Sequence, residues 1–255
     1  MPSVYIWHRV GMLNTMINSI YRIGCSGYYY PAWKNKFYPQ GLQPKNWLEY
    51  YSSVFNTVEL NGTFYRQPKL VDLKKYSEKT PADFKFSVKM SRFITHVNRL
   101  KESSASILEF QDLILQGLEN KLEHFLFQLP PSFTYSDENL NVLLSNVPNT
   151  PNNIIELRHI SWWNEEVKNV FSKANLTFCN VDFPGMKTYF IQTSPLFYLR
   201  LHGNPELFKS SYSDTELKRF YKELPKECKQ YSVYFNNTYY EAGYKNALYL
   251  KEITK

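Results

Sequence analysis

Eight short apolar segments recur along the chain, and each of them ends in polar residues. They cover residues 21–27, 57–63, 84–90, 125–131, 154–160, 176–182, 197–203 and 232–238. Segments with helical periodicity separate most of them, although residues 183–196 show no helical pattern. Strands that alternate with helices are typical of parallel crossovers, and near-continuous apolar strands fit a sheet covered on both faces. The pattern therefore predicts a parallel sheet of the α/β class.

Two parallel architectures fit this alternation. Residues 21–255 match the size of a (β/α)8 barrel, which is roughly 250 residues. A doubly wound open sheet is the alternative, but it usually carries a glycine-rich phosphate loop after its first strand. The stretch "GCSGYYYPAW" is not such a loop, because no helix follows it at once. We therefore predict a single-domain TIM-type barrel over residues 21–255. Residues 1–20 fit no such pattern and are predicted to be a poorly ordered N-terminal extension.

Composition narrows the cellular setting and the partners. The three cysteines, Cys25, Cys179 and Cys228, lie far apart without CxxC spacing, which favours reduced thiols in a cytoplasmic protein. Apolar runs stay well below the roughly 18 residues of a membrane helix, and residues 1–20 lack the continuous apolar segment that a secretory signal needs. The net charge of +7 favours anionic partners such as nucleic acid or phosphorylated metabolites. We expect a small anionic molecule or nucleic acid as the partner, and no membrane.

Charged residues two positions apart end the fifth segment, "IIELRHI". Residues two apart in a strand point the same way, so Glu156 and Arg158 share one face. The other segments repeat this arrangement. The polar residues at or just after their ends are Glu59, Asn61, Lys89, His96, Gln128, Asn180, Asp182, Arg200, His202, Asn236 and Asn237. All strands of a parallel barrel end on the same rim, so we predict that these side chains converge on one cleft, where barrel enzymes hold their chemistry.

A structural role is the alternative for these residues. Strands must exit to solvent, so a single terminal Asn or Gln needs no function. Charged residues inside a barrel mouth are harder to explain in this way, because burial of an unpaired charge is unfavourable. Glu156 and Arg158 can nevertheless pair with neighbours across the barrel and hold its rim together, and His202 can be a core histidine. His124 precedes its apolar segment, which favours a structural role.

Several longer blocks of the chain match a known family. The chain resembles the domain of unknown function 72 family, the YecE-like proteins, through the blocks "RIGCSGYYYPAWKNKFYP", "FNTVELNGTFYRQP", "TPADFKFSVKMSRFITH", "FLFQLPPSF", "IELRHISWW", "YLRLHG" and "VYFNNT". The resemblance implies a TIM-type barrel but no activity. Beyond the strand-end residues, it implies signature positions at Phe64, Tyr65, Thr95, His159, Trp162 and Gly203. Gly62 departs from the family, in which serine is expected.

The first functional hypothesis is an enzyme that binds a small anionic or sugar-like substrate. Lys89, Arg158 and Arg200 are candidates to hold a phosphate or carboxylate, for which the forked guanidinium is well suited. Four aromatic residues can stack on a sugar or base, namely Tyr29, Tyr65, Trp162 and Trp163. The remaining binding candidates orient the substrate by hydrogen bonds, namely Asn61, His96, Gln128, His159, Asn236 and Asn237.

Acid–base or hydrolytic chemistry is expected from the acidic and imidazole groups. Glu59 or Glu156 is a candidate general base, with His202 as acid–base partner and Asp182 as a further carboxylate. These four residues also underlie a second hypothesis, a divalent-metal-dependent hydrolase or nuclease, although no HxH or HExxH spacing occurs. No other cofactor is predicted. A third hypothesis is a non-catalytic ligand-binding or scaffold protein.

Overall fold

The computed structural model describes residues 19–186 and 189–255. Within these ranges, eight parallel strands form one sheet in the order β1-β8-β7-β6-β5-β4-β3-β2. The strands are β1 Ile20–Cys25, β2 Thr57–Leu60, β3 Lys85–Lys89, β4 Leu122–Gln128, β5 Asn153–Glu156, β6 Thr177–Asp182, β7 Leu196–Leu201 and β8 Gln230–Phe235. The sheet curls into a nearly closed barrel. The predicted (β/α)8 barrel is therefore confirmed, and all eight predicted segments contain a strand.

Helices cover the outside of the sheet. They are α1 Trp47–Val54, α2 Gly62–Tyr65, α3 Leu70–Glu78, α4 Ser104–Leu118, α5 Asp137–Asn146, α6 Glu165–Lys173, α7 Asp214–Glu223 and α8 Ala242–Ile253. Short polar residues begin three of them: Ser136, Asn164 and Ser213 each accept a hydrogen bond from a backbone N–H of the first turn. The connection between β6 and β7 contains no helix in its described residues, as the sequence predicted.

The interior of the barrel is unusually polar. Thr57 and Tyr234 bring their hydroxyls within 2.7 Å, and Ser87 and Tyr198 bring theirs within 2.6 Å. Each of these pairs joins strands that are not neighbours in the sheet, so both contacts cross the interior. Because side chains alternate along a strand, residues two positions further on also point inward, one layer closer to the carboxyl ends. This phase places Glu59, Lys89 and Arg200 in the barrel mouth.

The seam between β1 and β2 is closed by side chains. Among the described residues, no backbone ladder joins these two strands, which lie at opposite ends of the strand order. Asn56 instead donates from Nδ2 to the Tyr21 carbonyl (2.8 Å) and accepts from the Ile23 amide (3.3 Å). The Tyr51 hydroxyl accepts from the Cys25 amide (2.7 Å) and donates to the Thr57 carbonyl (3.1 Å). Two side chains thus replace the missing ladder.

Gly24 permits the close approach of the two strands at this seam. A Cβ at position 24 would overlap the Thr57 carbonyl oxygen and lie 2.9 Å from the Tyr51 hydroxyl. We expect Gly24→Ala to lower the free energy of unfolding by about 1–3 kcal/mol, as overpacking does. Urea unfolding measures the change. Gly62→Ala is the control, because a Cβ there meets nothing within 4 Å. Equal losses in the two variants would contradict the steric argument.

The predicted N-terminal extension, residues 1–20, lies outside the described residues except for its last two. Ser19 donates from its hydroxyl to the Cys228 carbonyl at 2.9 Å, and Ile20 is the first residue of β1. The folded domain therefore includes at least two residues that were assigned to the extension. Among the described helices, none has both the length and the apolar character needed to cross a bilayer.

Candidate functional site

A network of buried ion pairs occupies the mouth of the barrel. Arg200, from β7, donates to Glu59 of β2 from Nη2 (2.7 Å) and Nε (3.1 Å), and to Glu156 of β5 from Nη1 (2.5 Å). Arg158 donates from Nε to the other Glu156 oxygen at 2.6 Å. Arg200, Glu59 and Glu156 are fully enclosed. The pairing across the rim, which the sequence left open as an alternative, is therefore present.

Tyr198 and Ser87 support this network from below, and sequence reasoning missed both. The Tyr198 hydroxyl donates to Glu59 Oε2 at 2.7 Å and lies against Ser87. The alternation of side chains along β7 could have revealed Tyr198, because it precedes Arg200 by two positions and shares its face.

The network changes the acid–base character of its members. Burial alone raises the pKa of Glu156, but the Arg158 and Arg200 guanidinium groups outweigh it and hold that pKa well below its ordinary value. Burial and Arg200 lower the pKa of His202 in turn, so its imidazole is neutral at pH 7. Glu156 is consequently a poor general base, and His202 is a poor proton donor. The acid–base roles predicted for Glu156 and His202 stay predictions, and these pKa directions weigh against them.

The tautomer of His202 follows from its contacts. Its Nε2 lies 3.2 Å from Arg158 Nη2 and 3.3 Å from Arg200 Nη1, both of which are donors. Nε2 must therefore accept, which places the proton on Nδ1. This Nδ1 is buried without a hydrogen-bond partner in the described part of the chain. His202 thus serves the two arginines as a neutral acceptor.

Lys89 is the exception in this layer, because its amine is not paired. The side chain is half-buried at the end of β3, with Nζ 4.1 Å from the centre of the Phe64 ring. Within residues 19–186 and 189–255, Nζ forms no hydrogen bond and no ion pair. Burial, and then the positive charge of Arg200, lower the pKa of Lys89 to about 7. A substantial fraction of this amine is therefore neutral at physiological pH.

His96 packs against the same Phe64 ring that Lys89 faces, and Gln128 contacts His96. His96 is part of a π-helical turn, Phe93–Val97, that follows β3. Its Nδ1 lies 3.0 Å from the Thr95 hydroxyl and its Nε2 lies 3.3 Å from Gln128 Nε2. Burial and the neighbouring Lys89 lower the pKa of His96 to about 4, so this ring is also neutral at pH 7. The structure brings both residues to the predicted cleft.

A cavity of about 620 Å³ opens where the chain leaves β1 and β2. It is lined by Ser26, Gly27, Tyr28, Tyr29, Tyr30, Leu60, Asn61, Gly62, Thr63, Arg66, Gln67, Pro68, Lys69, Asp72 and Tyr76. Asn61 is the predicted site residue in this wall. Two buried acceptors there, Ser26 Oγ and Asn61 Oδ1, have no hydrogen-bond partner among the residues that the structure describes. Such atoms are suited to a polar ligand.

Tyr29, which was predicted to stack on a ligand, lies in this wall, whereas Ser26 and the other tyrosines of the wall were not among the predicted binding residues. Ser26 lies directly after β1 in the inward phase of Gly24, so the alternation along the strand could have revealed it. Tyr28, Tyr30 and Tyr76 carry no such signal, because tyrosine serves cores and clefts equally well. These three tyrosines meet at the cavity only because of the conformation of the segments that carry them, which the sequence pattern does not show.

Asp182 and Asn237 stabilise loops outside the network. Asp182 accepts from the Tyr212 hydroxyl at 2.7 Å and from Asn204 Nδ2 at 3.5 Å, both in the connection after β7. Asn237 donates from Nδ2 to the Ser210 carbonyl (2.9 Å) and to Asn246 Oδ1 (3.0 Å). The structure therefore gives both residues structural partners rather than a place beside Glu156. Asn236 is half-buried immediately after β8.

Three of the candidate ligand contacts also lie apart from the network. Trp162 is fully enclosed and donates from Nε1 to the Phe133 carbonyl at 2.7 Å, so its ring faces are closed to a ligand. His159 Nδ1 accepts from the Ser161 amide at 3.3 Å and begins a short 3-10 turn. Tyr65 is 80% exposed at the end of α2. The predicted stacking role of Trp162 conflicts with its burial.

Eight parallel strands with helices between them, and a polar network at their carboxyl ends, define a TIM-type barrel protein. The chain belongs to the family described as "Protein of unknown function DUF72", whose model matches residues 22–255. The resemblance seen in the sequence blocks is therefore confirmed.

Curated relatives share only part of their length with this chain. UPF0759 protein YunF of Bacillus subtilis (strain 168) is 30% identical over 140 residues, which cover 51% of this chain and 48% of that protein. UPF0759 protein YecE of Escherichia coli (strain K12) is 31% identical over 131 residues, which cover 48% of this chain and 47% of that protein. The chain thus spans about half the length of the curated relatives it matches. Neither name states an activity.

Solved structures extend the similarity over nearly the whole domain. A DUF72 family protein from Thermotoga maritima MSB8 is 32% identical with a TM-score of 0.82, covering 92% of this chain and 99% of that one. A DUF72 family protein from Enterococcus faecalis V583 is 20% identical with a TM-score of 0.74, covering 92% of this chain and 95% of that one. The second likeness shows the fold alone. The function must be argued from the site.

Proposed function

We propose that this protein is an enzyme that acts on a small organic anion at the mouth of the barrel. The observation that carries the proposal is an asymmetry of charge. The carboxylates of Glu59 and Glu156 are enclosed and bound to Arg200, whereas Lys89 and Arg158 are half-buried and reach the surface of the mouth. A ligand that enters there meets positive charge, because the negative charges are already paired below it.

Arg158 is the main anion-binding group in this proposal. Its Nε is directed at Glu156 and its Nη2 at His202, and these contacts fix the plane of the guanidinium. In the described part of the chain Nη1 forms no hydrogen bond, so it is available to a carboxylate or phosphate oxygen. A guanidinium held in this way loses little conformational freedom when it binds.

The cavity at the ends of β1 and β2 would hold the rest of the molecule, because its lining residue Thr63 donates a hydrogen bond to the Lys89 carbonyl at 2.7 Å. Its lining adds two exposed cations, Arg66 and Lys69, against one carboxylate, Asp72. Ser26 Oγ and Asn61 Oδ1 supply the unsatisfied polar atoms noted above, and tyrosine rings supply apolar surface. Pockets that are largely apolar with a few fixed polar groups are the usual form of small-molecule sites.

Calorimetric titration with a panel of phosphorylated and carboxylated metabolites tests this proposal. For a compound that binds, Arg158→Gln is expected to weaken affinity by about 10- to 100-fold, because one charge-assisted hydrogen bond is lost. Arg219→Gln is the matched control, since Arg219 is exposed on α7. Absence of binding at millimolar concentrations, in a folded sample, would contradict the proposal, and so would equal affinities in the two variants.

The other hypotheses have less support. Within residues 19–186 and 189–255, no group of three or more His, Cys, Asp or Glu side chains is arranged to hold a metal ion. The oxygens of Glu59 and Glu156 also accept hydrogen bonds from protein donors, which makes both residues weaker candidate ligands. A non-catalytic binding protein is separated from an enzyme by the fate of the bound compound. Binding without turnover would favour the former.

A further inference from the structure

The amine of Lys89 differs from the other buried lysine amines of this barrel. Lys121 Nζ donates to the Thr80 carbonyl at 2.6 Å and to the Thr80 hydroxyl at 3.2 Å, and Lys251 Nζ donates to the Val54 carbonyl. These contacts occupy the ammonium groups. Lys89 Nζ has only the face of Phe64 beside it among the residues described. The cation–π contact with Phe64 is therefore the one contact shown there, within the described residues, that favours the protonated amine, and it is weaker than the hydrogen bonds that hold the other two lysines.

The surroundings of Lys89 favour a free lone pair. Arg200 and Arg158 are close enough to disfavour a further positive charge, and burial removes the water that would solvate it. The enclosed Glu59 and Glu156 partly offset this effect, but both are bound to arginine. A lysine whose amine is neutral and accessible at neutral pH is a nucleophile for carbonyl carbon.

We propose that Lys89 Nζ forms an imine with the substrate, and that the substrate is a small aldehyde or ketone that also carries a carboxylate or phosphate. This inference rests on the proposed function, because the anionic group would be held by Arg158 while the carbonyl carbon meets the amine. Lys89 is the last residue of β3 and Arg158 lies two residues after β5, so only β4 separates the two strands in the sheet. A compound that carries only the carbonyl or only the anionic group would contact only Lys89 or only Arg158.

The step balances without a further reagent. The amine lone pair attacks the carbonyl carbon, a C–N bond forms, and the π electrons of the carbonyl move to its oxygen. That oxygen receives both protons that the nitrogen loses, the C–O bond breaks, and water leaves. The product is a carbon–nitrogen double bond between the substrate and Lys89.

Reductive trapping tests the inference. The full chain is incubated with sodium cyanoborohydride and, separately, with pyruvate, glyoxylate or dihydroxyacetone phosphate, and the labelled lysines are located by peptide mass spectrometry. We expect at least one of these probes to label Lys89 about tenfold faster than any other lysine, because most lysine amines are protonated at pH 7. Excess lactate or glycerol phosphate, which are anions without a reactive carbonyl, should suppress the labelling.

Variants assign the label to this position. Lys89→Met should lose it, whereas Lys85→Met, at the other end of β3, should retain it. Uniform labelling of surface lysines, or labelling of Lys89 that the competing anions leave unchanged, would overturn the inference. If those anions bind in the calorimeter but no probe labels Lys89, the imine is wrong and the anion site of the proposed function stands. If neither binding nor labelling occurs, both proposals fail.

Discussion

Replacement of Arg200 by methionine is expected to lower the free energy of unfolding by about 3–5 kcal/mol. Arg200 is the shared partner of Glu59 and Glu156, and all three side chains are enclosed. Methionine fills much of the same volume but donates no hydrogen bond. Glu156 would keep Arg158 and Glu59 would keep the Tyr198 hydroxyl, so neither carboxylate would be fully compensated. Removal of one partner from a buried ion pair is among the most destabilising single changes.

Urea unfolding at pH 7 and at pH 4 measures this effect and its cause. The arginines outweigh burial and keep the pKa of Glu156 below its ordinary value of 4.5. The stabilisation from the pair is therefore present above that value and is lost as pH falls towards the lowered pKa. We expect the difference between wild type and Arg200→Met to begin to narrow at pH 4, with most of it lost only at still lower pH. Lys168→Met, which removes an exposed pair with Glu165, is the control and should change stability little. If both variants lost the same free energy of unfolding, the buried network would contribute no more to stability than an exposed ion pair.

Lys89→Met is expected to have the opposite effect and to stabilise the barrel. At pH 6 the wild type must keep a positive charge in a half-buried site beside two arginines, and methionine removes this unfavourable charge while it retains the apolar contact with Phe64. The expected gain at pH 6 is on the order of 2 kcal/mol. A residue whose removal stabilises the fold is retained for another reason, which supports a functional amine.

The pH dependence of this gain identifies its origin. Burial and Arg200 lower the pKa of Lys89 from 10.5 to about 7, so the unfolded chain binds more protons between these values and wild-type stability rises with pH there. The advantage of Lys89→Met should therefore be complete below pH 7 and should decline towards pH 10.5. Lys89→Arg retains a charge throughout this range and should show no such gain. A constant difference between pH 6 and pH 10 would show that packing, not charge, is responsible.

The fold was predictable because its signal is local and repeated. Apolar strands followed by helical periodicity are readable from neighbouring residues alone, and the polar ends of β2, β5 and β7 indicated where a cleft would form. Glu59, Glu156 and Arg200 do meet there, although 141 residues separate the first from the last. Parallel topology alone supplies this convergence, because it brings all carboxyl ends to one rim.

The roles of these residues were less predictable, for two physical reasons. Partners across a barrel are not encoded at any fixed spacing, so the sequence could not show that Arg200 occupies both glutamates and leaves Lys89 unpaired. Strand phase is also ambiguous where both faces are buried. Every residue of β6 is buried, and Asn180 and Asp182 proved to hold the connections after β6 and β7. Alternation of apolar and polar residues cannot distinguish inward from outward in such a strand.

The seam between β1 and β2 links ligand binding to the integrity of the ring. The cavity is walled by the segments that leave these same two strands, Ser26 to Tyr30 on one side and Leu60 to Lys69 on the other. A molecule lodged there would touch both free edges and cross-link them at the point where backbone hydrogen bonds are missing. A ligand that binds only the closed barrel would raise the free energy needed to open it. The occupied protein would therefore resist opening at this seam more strongly than the empty one.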